Sequence, residues 1–238
     1  MPLFTIITVT YNAEAFIEAS VKSVLSQTFS DYEYIVIDGG SIDSTIHIIN
    51  QYRRGIHQLL SEKDNGIYDA MNKALDLSTG DYILFVGADD KLAGTDVLSE
   101  VACKLQQENP VFIYGNVVYN TGRNFLSGFG PKMLLNNTIH HQSIFYHRSL
   151  FKDFRYDTRF KLIADYELNL RLYQARRLLK YVLIDTTICI CNEGGASRLQ
   201  LRQAFRETNQ IRRKVLGGKS FLLKWIYTIK FLLTEYVI

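Results

Sequence analysis

The stretch TGDYILFVGADD, residues 79–90, decides how the rest of the chain reads. Five apolar residues, Tyr82–Val86, run without a polar break and end in a glycine and two adjacent acids, Asp89 and Asp90. A short continuous apolar run bounded by turn residues marks a strand buried on both faces, and such strands belong to sheets covered by helices. The pattern recurs upstream. MPLFTIITVTY (1–11) is β-branched and apolar and stops at Asn12, which reads as a helix N-cap; Ile17, Val21, Val24 and Leu25 follow at helical spacing. YIVID (34–38) stops at Gly39-Gly40-Ser41 and is followed by Ile46, Ile49 and Arg53 at the same spacing. Gln58–Ser61 is a third short strand. Ile67, Ala70, Met71, Ala74 and Leu75 then make one helical stripe, with Gly80 just past its end as a C-terminal cap. Strands alternating with helices predict an α/β domain around a mostly parallel sheet.

The chain has 238 residues, 47% hydrophobic and 21% charged, enough for one large domain with a substantial core. This composition excludes a disordered chain, a collagen-like fibre and a disulfide-stapled miniprotein. Cys103, Cys189 and Cys191 are an odd number without a CxxC spacing, which points to a reducing compartment. Cys189 and Cys191 alternate on a strand, Tyr181–Ile190, with no histidine beside them, so packing is their expected role. The apolar N-terminus lacks the basic flank and cleavage site of a signal peptide. The net charge of +3 is unevenly spread: from Arg198 onward nine Lys or Arg oppose two acids, a net +7, which leaves −4 for the rest.

In open α/β sheets ligands bind outside the carboxyl ends of the strands. The residues there are Thr10-Tyr11-Asn12, Asp38-Gly39-Gly40-Ser41 and Gly87-Ala88-Asp89-Asp90. Neither GxGxxG nor GxxxxGK[ST] is among them, which disfavours dinucleotide and P-loop chemistry. Adjacent acids at the end of a buried strand repel each other and are costly to desolvate unless a cation compensates. Hard oxygen ligands in a partly open site suit Mg²⁺ or Mn²⁺ bridging a substrate diphosphate. The competing reading makes Asp89 a helix cap and Asp90 a solvated side chain.

Taken in order, ITVTYN, VIDGGSIDST, SEKDNGIYDAMNKA and TGDYILFVGADD resemble the nucleotide-sugar domain of family 2 glycosyltransferases, with their GT-A fold and Rossmann-like central sheet. HHQSIFYHRSLF, IADYELNLRL and NEGGAS resemble later segments of the same family. The resemblance implies a GT-A domain over residues 1–197, with a nucleotide-sugar half (1–91) and an acceptor half (92–197), followed by basic amphipathic helices over 198–238. It implies that Thr10 and Tyr11 line the base pocket and that Asp38 accepts a hydrogen bond from base or ribose. Gly39 stands where many relatives carry a second acid, so base recognition falls on Asp38 alone. Asp64 and Asn65 would lie beside base and diphosphate, and Asn72 and Lys73 match further family positions, Lys73 being equally a solvated helix face. Asp90 would bind the metal and Asp89 the ribose or diphosphate.

Asp165 lies in the first turn of a helix whose stripe includes Leu168 and Leu172, a position where the helix dipole favours a carboxylate. The resemblance makes it the general base, with Glu167 as runner-up, and implies single displacement with inversion. His140 and His141 would border the acceptor cleft, one of them contacting diphosphate or metal. The donor expected is a UDP-sugar, with glucose or galactose favoured, and the acceptor a lipid-diphosphate-linked sugar of bacterial polysaccharide or O-antigen assembly. An acceptor that is not a lipid, or a donor that is not a UDP-sugar, is the alternative within the family. A sugar nucleotidyltransferase or a silent sugar-nucleotide-binding module is the alternative outside it.

The C-terminal segment SFLLKWIYTIKFLLTEYVI (220–238), behind Arg202, Arg206, Arg212, Arg213, Lys214 and Lys219, reads as an interfacial helix on an anionic membrane. Its competing readings are packing on the body and a homodimer seam. The expected location is cytoplasmic, peripheral at the inner face of the cytoplasmic membrane, and nucleic acid is disfavoured because no reading motif accompanies the basic tail.

Overall fold

A computed structural model describes residues 1–193 and 200–220, the side chain of Lys219 excepted. The proposed interfacial segment beyond Ser220 and the Gly194–Ser197 part of NEGGAS lie outside the described residues.

The strands are β1 (Phe4–Thr10), β2 (Tyr32–Asp38), β3 (Gln58–Ser61), β4 (Tyr82–Gly87), β5 (Lys91–Leu92), β6 (Phe112–Tyr119), β7 (Asn124–Phe125), β8 (Ile144–His147) and β9 (Tyr181–Cys191). The helices are α1 (Ile17–Leu25), α2 (Thr45–Gln51), α3 (Ile67–Leu77), α4 (Val97–Glu108), α5 (Ala164–Ala175) and α6 (Leu201–Leu216). They build one sheet of order β3-β2-β1-β4-β8-β6-β9-β5, with β7 beside β6. The first four strands are parallel, as expected, with Phe4 paired to both Tyr32 and Tyr82. From β8 onward the sheet is mixed: β8 runs antiparallel to β4 and β6, whereas β6 and β9 are parallel.

The alternation of strand side chains divides the core into two layers. Ile7 and Val9 of β1 join Tyr68, Met71 and Ala74 of α3 and Leu168 and Leu172 of α5. Phe4 and Ile6 join Val21 and Val24 of α1, Ile49 of α2 and Val101 and Leu105 of α4. Cys189 and Cys191 are buried in this second layer, in the packing role expected for them. Among the described residues no helix is long and apolar enough to cross a membrane.

Three local readings change. Asn12 caps no helix: α1 starts at Ile17, and Asn12 adopts φ 47° in the loop before it. The buried stripe of α3 holds Tyr68, while Ile67 is exposed, because the helix begins at Ile67 and turns its first residue outward. Gly80 is no left-handed cap either. A Cβ there would stand 2.6 Å from the backbone C of Phe4 and N of Thr5, so the glycine allows close approach of the β4 lead-in to β1.

Candidate active site

The loops after β1 and β2 are stitched together. The backbone N–H of Asn12 donates to Ser41 Oγ (2.8 Å), and that of Ile42 donates to Asn12 Oδ1 (3.0 Å). Tyr11 lies on this edge and is 61% exposed. Thr10 is buried, and its Oγ1 has no hydrogen-bond partner among the described residues. Asp38 is wholly buried: Oδ2 accepts from Gly40 N (3.0 Å), Ser41 N (2.9 Å) and Ser61 Oγ (2.7 Å), and Oδ1 from Ser41 Oγ. These contacts shape the loop. A second carboxylate lies over the neighbouring glycine. A Cβ on Gly39 would lie 2.5 Å from Asp64 Oδ2, and Asp64 Oδ1 accepts from Gly66 N at 2.8 Å. Asp64 thus fills from the β3–α3 loop the place an acid at position 39 would take. Asn72 clasps the backbone of Tyr156, donating to its carbonyl (2.8 Å) and accepting from its N–H (2.9 Å). Both its polar atoms hold the chain together. Lys73 pairs with Glu62 at 2.7 Å on the helix face. Asn65 folds back onto Asp69, its N–H donating at 3.0 Å.

At the end of β4 the chain doubles back, Asp90 N donating to Gly87 O (3.1 Å) while Ser20 Oγ binds the same carbonyl (3.0 Å). The two acids curl over Gly87, where a Cβ would meet Asp90 Oδ2 at 2.5 Å. Asp89 is exposed, whereas Asp90 is 5% exposed and accepts from Asn192 N at 3.0 Å. Burial, and then the neighbouring Asp89 charge, pushes the Asp90 carboxyl up to about 6. A carboxylate so destabilised next to another is what a divalent cation relieves, so the pair fits Mg²⁺ or Mn²⁺. Among the described residues no three His, Cys, Asp or Glu side chains converge as a ready-made cage, so further ligands would come from a diphosphate.

His140 and His141 both lie close enough to Asp165 to feel its charge. The sequence places no histidine beside the cysteines, yet the fold brings His140 Nδ1 within 3.9 Å of Cys191 Sγ. His140 packs edge-on against Tyr119 and Phe125, and burial pulls its pKa down to about 4, leaving the ring neutral at pH 7. His141 stacks on Phe85 with ring centroids 5.0 Å apart. Burial lowers its pKa as well, and neither ring nitrogen has a hydrogen-bond partner among the described residues.

Asp165, 9% exposed, occupies the first turn of α5 as expected. Tyr68 Oη donates to its Oδ1 (2.9 Å) and Asn137 Nδ2 to its Oδ2 (2.7 Å). The chain of bonds continues outward: Asn169 Nδ2 donates to Asn137 Oδ1 (3.0 Å) and Tyr146 Oη to Asn169 Oδ1 (2.7 Å). Sequence reasoning missed these four supports. Asn169 carries a signal, being four residues after Asp165 on the same helix face; Asn137 carries none. Glu167 turns the other way, into Arg171 Nη2 (2.7 Å) and Lys214 Nζ (2.8 Å).

Residues 5–173 match the family described as Glycosyl transferase family 2. A PGL/p-HBAD biosynthesis glycosyltransferase of Mycobacterium bovis (strain BCG / Pasteur 1173P2) is 37% identical over 214 residues, 86% of this chain and 82% of that one. Among solved structures, S. aureus TarS 1–349 in complex with UDP-GlcNAc matches with a TM-score of 0.68 and 22% identity, over 90% of this chain and 71% of that one. The mannosyltransferase PcManGT of Pyrobaculum calidifontis, in complex with GDP-Man and Mn²⁺, matches with a TM-score of 0.66 and 17% identity, over 95% of this chain and 72% of that one. At such identities the two structures show a shared fold. The family match runs from β1 almost to the end of α5 and so contains both carboxylate clusters. These findings set aside the nucleotidyltransferase and silent-module readings: the chain belongs to glycosyl transferase family 2 and is a glycosyltransferase of the GT-A fold.

Proposed function

We propose that this enzyme transfers a hexose from a UDP-sugar to a lipid-diphosphate-linked saccharide, with inversion, in the assembly of a bacterial surface polysaccharide of the O-antigen type. The observation that carries the donor half is the buried Asp90 beside Asp89, a pair that calls for a cation and, through it, a diphosphate. A divalent ion bound there would supply Lewis-acid stabilisation to the departing nucleoside diphosphate. Tyr11 would stack on the base, and Asp64, over Gly39, would face base or ribose. Asp165 would orient the acceptor hydroxyl and take its proton at a carboxylate oxygen; Tyr68 and Asn137 hold that carboxylate in place. A carboxylate base that takes the acceptor's proton suits a single displacement.

The UDP-GlcNAc held by TarS supports a UDP-sugar, and the GDP-Man held by PcManGT supports a GDP-sugar as the second reading. Glucose and galactose are favoured as the transferred sugar. The role of the mycobacterial relative in PGL/p-HBAD biosynthesis supports a biosynthetic acceptor. Arg212 is buried against Leu135 O and Lys214 is paired with Asp157 and Glu167, so neither serves as the surface charge expected of them. The exposed Arg202, Arg206 and Arg213 support attachment to an anionic membrane at the cytoplasmic face. The test is to incubate purified protein with Mn²⁺, UDP-glucose, UDP-galactose or GDP-mannose and a GlcNAc-diphosphate-lipid acceptor. Acceptor-dependent release of UDP is the expected result; release of GDP alone moves the donor to the second reading, and no release with any donor refutes the proposal.

A further inference from the structure

Helix α6 begins 28 residues after the family match ends, yet three of its side chains hold the segments that carry Asp165 and its partner. The first is Glu207, 5% exposed. Its Oε1 accepts from Lys161 N (3.0 Å) and its Oε2 from Leu162 N (3.0 Å) and Ile163 N (3.3 Å). Gln203 Nε2, one turn earlier on α6, steadies Oε1 at 2.9 Å. The N-cap residue of α5, Ile163, has no side chain able to accept a hydrogen bond, and α5 has no side-chain cap of its own. Glu207 therefore pins, from another helix, the N-cap amide and the two amides before it, and sets a negative charge at the end of the helix that favours one. Asp165 is the second residue of the helix so anchored.

The second side chain is Arg212, 1% exposed, whose Nη2 donates to Leu135 O at 2.7 Å. Two residues on, Asn137 holds Asp165 Oδ2. The third is Lys214, whose Nζ joins Asp157 Oδ2 (3.0 Å) to Glu167 Oε2 (2.8 Å), fixing the lead-in to α5 against its first turn. Between them Ile211 is fully buried in the same core layer as α5. A helix that served stability alone would need only its apolar stripe. These polar anchors instead converge on the two segments between which the Asp165 carboxylate is suspended.

We propose that α6 is a positioning element for the reaction, and that Glu207 is a positioning residue which acts through Asp165 by fixing the start of α5. The inference rests on the reading of Asp165 as the base, and the experiment separates the two. Full-length Glu207→Ala and the near-isosteric Glu207→Gln are compared with wild type in three measurements: UDP affinity with Mn²⁺ by calorimetry, steady-state release of UDP from UDP-glucose with the lipid-linked acceptor, and backbone hydrogen exchange. Expected for Glu207→Ala are unchanged UDP affinity and donor KM, kcat lower by about tenfold, and faster exchange at residues 161–166 with the amides of β1–β4 unaffected. Glu207→Gln, which keeps one acceptor, should recover part of kcat. In an Asp165→Asn background Glu207→Ala should cost nothing further, because the two act as one unit. A wild-type kcat in Glu207→Ala overturns the proposal. So does a loss of kcat matched by lost UDP affinity and exchange raised throughout the domain, which would make α6 a stability element only. An added tenfold loss in the Asp165→Asn background overturns action through Asp165. A near-wild-type rate for Asp165→Asn alone overturns the base reading, and exchange at 161–166 still reports whether Glu207 holds that segment.

Discussion

Tyr68 Oη donates to Asp165 Oδ1 across 2.9 Å, joining α3 to α5 over 97 residues of sequence. Burial, and then the charge of Asp165, pushes the Tyr68 hydroxyl well above its ordinary pKa, so it stays a donor at any working pH. A hydrogen bond to a charged group contributes about 1.5–3 kcal/mol. Tyr68→Phe should lower unfolding free energy by about that amount in chemical denaturation, since the ring packing survives and the buried carboxylate loses a partner. It should also lower kcat while leaving UDP affinity intact. A stability equal to wild type would show that the bond is not made in solution.

Asp165 and Glu167 separate by what they face. Asp165→Asn should retain UDP binding and lose roughly 10²–10⁴-fold in turnover, the scale of general-base removal. Glu167 instead neutralises Arg171 and Lys214 while 2% exposed, so Glu167→Gln takes the carboxylate from Arg171 and leaves Lys214 with Asp157 alone. Its effect should appear as a lower Tm with kcat changed less than tenfold. The opposite pattern, measured by UDP release and thermal melting, would exchange the two assignments.

The legible part of this protein is its first half, and for a physical reason. Parallel strands buried on both faces give unbroken apolar runs such as YILFV, and the ligand edge follows at once from where those runs stop. The mixed half hides better: β6 and β7 pair through a tight turn at Gly122, and no apolar period announces that β8 inserts between β4 and β6. Side-chain placement was legible where position alone sets it, as with Asp165 in a first helical turn. It was not where a distant segment decides. Nothing local to Asp38 reveals that Ser61 encloses it, and nothing local to Gly39 reveals that Asp64 lies over it. In the tail the charge excess was visible, but the inward pairing of Glu207, Arg212 and Lys214 depends on Lys161, Leu135 and Glu167, all distant in sequence.

Asp90 carries a stability cost that the proposed cation would lift. Its carboxyl is raised to about 6, above the unfolded value, so the protonated form suits the fold. Without metal, that contribution is complete below about pH 4 and is lost as pH rises through about 6. Asp90→Asn should therefore melt higher than wild type in EDTA at pH 7, by up to about 3 kcal/mol of stability. Mn²⁺ with UDP should stabilise wild type and leave the variant unmoved. Equal stabilisation of both proteins by Mn²⁺ and UDP would remove Asp90 from the metal site.

His140 runs in the opposite sense. Burial lowers its pKa to about 4, so the neutral ring is favoured by the fold. Stability from this group is complete above about pH 6.5 and falls as pH drops toward 4. Its ring lies edge-on to Tyr119 and Phe125, a setting that a phenyl ring can share. His140→Phe should therefore flatten the Tm profile between pH 6.5 and 4 while matching wild type near pH 8. Parallel profiles for the two proteins would mean that His140 does not titrate in this window.

Two glycines that look alike in sequence should fail differently. At Gly80 an added Cβ meets main-chain atoms of Phe4 and Thr5 at 2.6 Å, in the first strand of the sheet, where nothing can swing aside. Gly80→Ala should cost about 1–3 kcal/mol of stability, the usual range for forced overpacking. At Gly39 the Cβ meets the far end of Asp64, 2.5 Å away, and a flexible side chain can rotate out. Gly39→Ala should therefore fold with nearly the wild-type Tm yet displace the carboxylate proposed to face the nucleotide. Its UDP affinity should fall by about tenfold, the scale of one hydrogen bond to a charged group. Asp64→Ala should show the same loss, and combining it with Gly39→Asp should restore part of the affinity, since the new acid enters the space that Asp64 has left. If Gly39→Ala binds UDP as wild type does, the carboxylate over Gly39 shapes the loop and does not read the nucleotide.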